Sequence, residues 1–81
     1  MDKATSFYRI TIRNDRRRNA IITEVYLLES GVYKAFSFYA KDKEEKVVGL
    51  GVSENENEAI RLSIKDLKKE WRERIRNIKC N

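Results

Sequence analysis

Residues 50–71 read LGVSENENEAIRLSIKDLKKEW. The stretch leaves a strand through a glycine passage, gives two overlapping helix-start signals and runs on as an amphipathic helix. Gly49 and Gly51 open a path that a β-carbon would crowd. Ser53 with Glu56, and Asn55 with Glu58, each set a capping side chain three residues before a carboxylate. That spacing satisfies orphan amides at a helix start. Glu54, Glu56 and Glu58 add negative charge at the positive end of the helix dipole. Ile60, Ile64, Leu67, Trp71, Ile75 and Ile78 then recur at intervals of four and three, which makes one apolar stripe. The pattern predicts a helix over 53–79.

Towards the N-terminus the period changes from helical to two. Tyr8, Ile10 and Ile12 alternate with Arg9, Thr11 and Arg13, a half-buried strand over 7–13. Residues 14–19, NDRRRN, make a turn with Arg16, Arg17 and Arg18 at its tip. A second strand over 20–29 meets a third over 32–40 through the tight turn Glu29-Ser30-Gly31. A charged loop, KDKEE, leads to a fourth strand over 46–52. Short sequential strands favour an antiparallel meander. The fold expected is therefore α+β: a four-stranded antiparallel meander followed by one long C-terminal helix packed on one face, ββββα. It forms one small domain over 1–81.

If Ile10, Ile12, Phe36, Phe38, Val48 and Leu50 face the helix, then Arg9, Arg13, Tyr33 and Tyr39 face away. Glu24 on the outer side brings Ile22, Tyr26 and Leu28 with it. Tyrosines mixed with arginines are the composition of a nucleic-acid platform, where rings stack on bases and guanidinium groups hold phosphates. A protein interface also favours tyrosine. The predicted helix, roughly 38 Å long at about 1.5 Å per residue, exceeds a five- or six-residue strand of about 17–20 Å. Trp71, Ile75 and Ile78 should therefore overhang the sheet, and a second copy is the simplest cover for such a stripe.

Composition narrows the classes. Hydrophobic residues at 41% with 38% charged are those of a globular chain rather than a disordered one. No run approaches 18 apolar residues, so no membrane-spanning helix is expected. MDKATSFYR lacks the apolar segment of a signal peptide, and an intracellular protein is expected. Cys80 is the only cysteine, so the chain forms no internal disulfide. The net charge of +5 is uneven: 53–64 is acidic, whereas 65–81 holds seven basic residues against three acidic ones. Basic ends point to an anionic partner, nucleic acid first.

Catalytic patterns are missing. There is no histidine, no GxxxxGK[ST] phosphate loop and no GxGxxG. Zinc sites and the usual triads are excluded, and Glu44-Glu45 lie in an exposed loop where nothing would split their pKa values. We expect no enzyme, no metal and no cofactor.

Gly31-Val-Tyr-Lys-Ala35, then Leu50-Gly51, then Glu58-Ala59, is similar to the β-β-β-α DNA-binding domains of plant ethylene-response factors and phage-integrase arm-binding proteins. The resemblance covers Gly31 to Ile60 and implies a sheet laid in the major groove. This chain adds a strand at 7–13 and lacks the dense arginines of that pattern. The Gly49-Leu-Gly51-Val-Ser53 passage also resembles the glycine-then-helix junction of HicB-type antitoxins and double-stranded-RNA-binding domains.

The leading expectation is thus a basic nucleic-acid-binding module, DNA ahead of RNA, acting as a homodimer. Arg13, Arg16, Arg17 and Arg18 would contact phosphates, and Arg9, Tyr26, Tyr33 and Tyr39 would form the platform. Trp71, Ile75 and Ile78 would hold the dimer. The alternative is a protein-binding inhibitor or antitoxin-like protein of a phage or mobile element, of the size of some anti-CRISPR proteins.

Overall fold

The structure, a computed structural model, describes residues 3–14, 19–42 and 47–79, with the side chains of 13, 14, 19 and 75–79 outside that description. Four strands, β1 (Ala4–Asn14), β2 (Asn19–Leu28), β3 (Tyr33–Tyr39) and β4 (Gly49–Ser53), form one antiparallel sheet in chain order. The helix α1 (Glu56–Lys79) closes the chain. The expected ββββα architecture is the one observed.

Local chemistry sets the joints. Leu28 accepts from the Gly31 amide at 3.0 Å and donates to Val32 at 2.9 Å, so Glu29, Ser30 and Gly31 form a three-residue hairpin loop. Gly31 takes φ +86°, the left-handed position such a loop demands. At the helix start, Asn55 Oδ1 accepts the Glu58 amide at 3.0 Å, so the second of the two capping signals is the one used. Ser53 Oγ accepts the Asn55 amide at 3.1 Å and shapes the turn before it. The helix accordingly begins at Glu56 rather than 53.

How close α1 comes to β4 decides the packing. A β-carbon built on Gly49 would lie 2.1 Å from the Ser63 carbonyl oxygen, and one on Gly51 would lie 2.0 Å from that of Ala59. Only glycine admits a helix backbone at this distance. The helix answers with Ala59, Ser63 and Leu67, all fully buried and four residues apart. Ile60, Ile64 and Trp71 flank this line and pack against the core from its side. The buried centre of the helix is thus shifted one residue from the isoleucine stripe that periodicity suggests.

Close approach also sets which face of each strand is inside. Small residues, Ala35 and Ser37 of β3 and Thr23 of β2, lie fully buried beneath the helix. Their hydroxyls form a chain: Thr23 Oγ1 to Ser37 Oγ at 2.7 Å, and Ser37 Oγ to Ser63 Oγ at 2.7 Å. Ser63 in turn donates to the Ile60 carbonyl at 2.7 Å. With α1 lying over β4 and β3 and meeting β2 along one margin, the core has two parts. One gathers Ile21, Tyr39, Val47 and Leu67, and the other Val25, Ala35 and Ala59.

Tyr8, from β1, packs on the second cluster, with its phenol towards the Glu56 carboxylate at the helix start. Burial first, then the interaction with the Glu56 carboxylate, push its phenol up to about 12. The folded chain therefore keeps a proton that the unfolded chain, titrating near 10, has released. That stabilisation is complete below pH 10 and is lost as pH rises through 12. We expect urea midpoints to fall between pH 10 and 12 and Tyr8→Phe to flatten the decline. An equally steep decline in the variant would place the titration elsewhere.

Candidate nucleic-acid interface

Register gives the two faces of the sheet directly. Opposite the helix lie Phe7, Arg9 and Thr11 of β1, paired with Tyr26, Glu24 and Ile22 of β2. On β3 and β4, Lys34 pairs with Val52 and Phe36 with Leu50 on the same side. The predicted platform is therefore divided. Arg9 and Tyr26 stand on the open face, as expected.

Tyr33 and Tyr39 do not: they share the helix side with Ala35 and Ser37. Tyr39 is only 9% exposed, and its ring meets Trp71 edge-on at 5.0 Å between centroids. Phe36 and Leu50 take the opposite correction, from the helix side to the open face. Strand alternation was right on β1 and β2 but has the other phase on β3 and β4. Beneath a helix this close, Ala35, Ser37, Gly49 and Gly51 fit and phenylalanine does not.

The aromatic row that does form is Phe7–Tyr26–Phe36, with centroids 4.8 Å and then 5.8 Å apart. Lys34 Nζ lies 5.8 Å from the Phe36 centroid. Arg9 Nη2 donates to Glu24 Oε2 at 2.6 Å, so this arginine's charge is met on the sheet itself.

Arg16, Arg17 and Arg18 lie outside the described residues, as does the side chain of Arg13. Of the residues expected to hold a dimer, Trp71 packs inward on Tyr39, with Lys41 Nζ 5.3 Å from its ring centroid. Trp71 is thus part of the core margin rather than an overhang. The side chains of Ile75 and Ile78 lie outside the description.

A cationic site that residue-by-residue reading passed over lies along α1. Lys65, Lys69 and Arg72 line a groove of about 500 Å³ beside the β4 edge, whose apolar wall is Leu50, Val52 and Leu62. Their spacing of four and three sets them on one helix stripe, about 6 Å and then about 4.5 Å apart along the axis. Asp66 is the acidic residue of the lining, and its Oδ2 accepts the Leu50 amide at 2.9 Å. That bond also occupies one amide of the edge strand, which otherwise invites pairing with another chain.

The 65/69/72 spacing is visible in the sequence, but its position beside Leu50 and Val52 is not. Farther up the helix, a hydrogen bond from Arg61 holds the Glu58 carboxyl below its ordinary range. This pair is exposed and contributes little to stability. Among the described residues no helix is long and apolar enough to cross a membrane. Comparison of the chain with family models, with curated proteins and with solved structures finds no match in any of the three.

Proposed function

We propose that this protein is a small non-catalytic nucleic-acid-binding module that holds the phosphate backbone along the α1 groove. The observation that carries the reading is the cationic row Lys65, Lys69 and Arg72 facing an apolar wall across one groove. Phosphates meet the row, while sugars and bases lie against Leu50, Val52 and Leu62. The net charge of +5 and its concentration in 65–81 support the same partner. DNA stands ahead of RNA on the resemblance to the sheet-type DNA-binding domains. The arginines at 16–18 add a second cationic cluster in the sequence.

Anisotropy titrations of labelled DNA and RNA, single- and double-stranded, at 50 and 200 mM salt test this. Affinity should fall steeply with salt. Replacing Lys65, Lys69 and Arg72 together with alanine should lower the log–log salt slope by about 0.7–0.9 per contact, roughly two to three in all. Stability should shift by no more than about 0.5 kcal/mol, because the changes are on the helix surface. The triple change of Arg16, Arg17 and Arg18 to alanine should lower the slope by a similar amount. Absence of binding at 50 mM salt, or a slope that neither triple variant alters, would remove nucleic acid as the partner. The second reading, a protein-binding inhibitor or antitoxin-like protein, then takes its place, favoured by the apolar open face of the sheet.

A further inference from the structure

The helix covers one face of the sheet, and the other face carries apolar side chains on all four strands. The large hydrophobics left most exposed, Phe7 at 52%, Val52 at 48%, Leu50 at 44% and Val48 at 39%, lie on this side or at its margin, with Val48 just ahead of β4. The Phe7–Tyr26–Phe36 row crosses the centre and joins them into one patch. A contiguous apolar patch of this extent is the mark of an interaction surface. We infer that the open face is the interface of a homodimer, in which two copies stack sheet on sheet.

Three features select a second copy. The first is shape: an open four-stranded sheet finds its natural complement in another of the same twist, packed about 10 Å away with strands within about 30° of alignment. A two-fold axis makes such a contact self-complementary and closed.

The second is area. Four strands about 4.8 Å apart and roughly 25 Å long give on the order of 500 Å² in flat projection, and more once the protruding rings are followed. A specific interface at the lower end needs about 600 Å² per partner. In projection the face falls just short of that threshold and approaches it once the rings are followed, so association is expected at high micromolar rather than nanomolar concentration.

The third is charge. Arg9 and Glu24 pair within one protomer, which lets both be covered without an unmet charge. A two-fold axis along the strands sets β2 of one copy over β3 of the other. Glu24 then lies at the level of Phe36 across the interface, one pleat from Lys34. The cations of the α1 groove lie on the helix, but Leu50 and Val52 belong both to the groove wall and to this face. Phe7 on β1, outside the groove lining, is the residue that separates the two readings.

Sedimentation velocity of the whole chain from 5 to 500 µM tests it. The expected result is a reversible monomer–dimer equilibrium across this range. Phe7→Glu should weaken it at least tenfold while leaving the far-UV spectrum and the melting curve close to wild type, since Phe7 is half exposed. Lys68→Glu, on the exposed side of the helix, should leave it unchanged. A wild type that sediments as a monomer at 500 µM would overturn the inference. So would a dimer that Phe7→Glu and Val48→Glu both leave intact, because the contact would then lie elsewhere.

Discussion

Gly51→Ala is expected to lower stability by about 3–5 kcal/mol, at or beyond the top of the range for overpacked interiors. The added carbon would sit 2.0 Å from the Ala59 carbonyl oxygen and 2.5 Å from the Ser63 amide nitrogen. Both are backbone atoms of α1, so no side-chain rotation relieves the clash and the helix must lift from β4. Lifting it opens the contacts of Ala59, Ser63 and Leu67, the fully buried residues among those described in the helix. Against a total of about 5–15 kcal/mol for a domain, a change of this size leaves much of the chain unfolded. Gly31→Ala is the control: nothing lies within 4 Å of its added carbon, and only the left-handed backbone is strained. It should cost about 1–2 kcal/mol. Urea titrations followed by Trp71 fluorescence and far-UV circular dichroism measure both. A Gly51→Ala midpoint within about 1 kcal/mol of wild type would mean that α1 is not seated on β4 as described.

The buried hydroxyl chain gives the second large effect. Each hydroxyl has one proton, and Ser63 gives its proton to the Ile60 carbonyl. Ser37 must then donate to Ser63, and Thr23 to Ser37. Ser37→Ala removes the acceptor of Thr23, which is fully buried. A donor left unmet in that setting costs about 1–3 kcal/mol. Adding Thr23→Val removes the unmet donor, so the double variant should be more stable than the sum of the two single losses predicts, by about 1 kcal/mol. Strict additivity in that double-mutant cycle would show that the chain carries no shared stabilisation. The chain ties β2, β3 and α1 at one level, and a slip of register would break both of its links.

Fold class and its joints were legible in the chain because they depend on neighbours in sequence. Alternation over 7–13, the Glu29-Ser30-Gly31 turn, the asparagine–glutamate cap at 55 and 58 and the apolar period after Ile60 are all local signals. Each corresponds to an observed element, with boundaries moved by at most three residues. The three-residue delay at the helix start arose because two capping signals overlap and only backbone geometry chooses between them. The acidic first turn, the basic last turns and the absence of histidine are equally plain without coordinates.

Which side of β3 and β4 is inside was a tertiary decision. Alternation gives two sets of residues but not the phase, and size was a misleading guide. Phe36 and Leu50 have the larger apolar surface, yet the helix approaches so closely that glycine, alanine and serine must lie beneath it. This one fact moves Tyr33 and Tyr39 from an imagined platform into the core side. It turns the phenylalanines outward and makes the open face apolar rather than tyrosine- and arginine-rich. It also carries Lys65, Lys69 and Arg72 alongside the β4 edge, where a stripe written along a single helix becomes one wall of a groove. The periods belong to the sequence; the phase on the last two strands is set by how near two backbones can come.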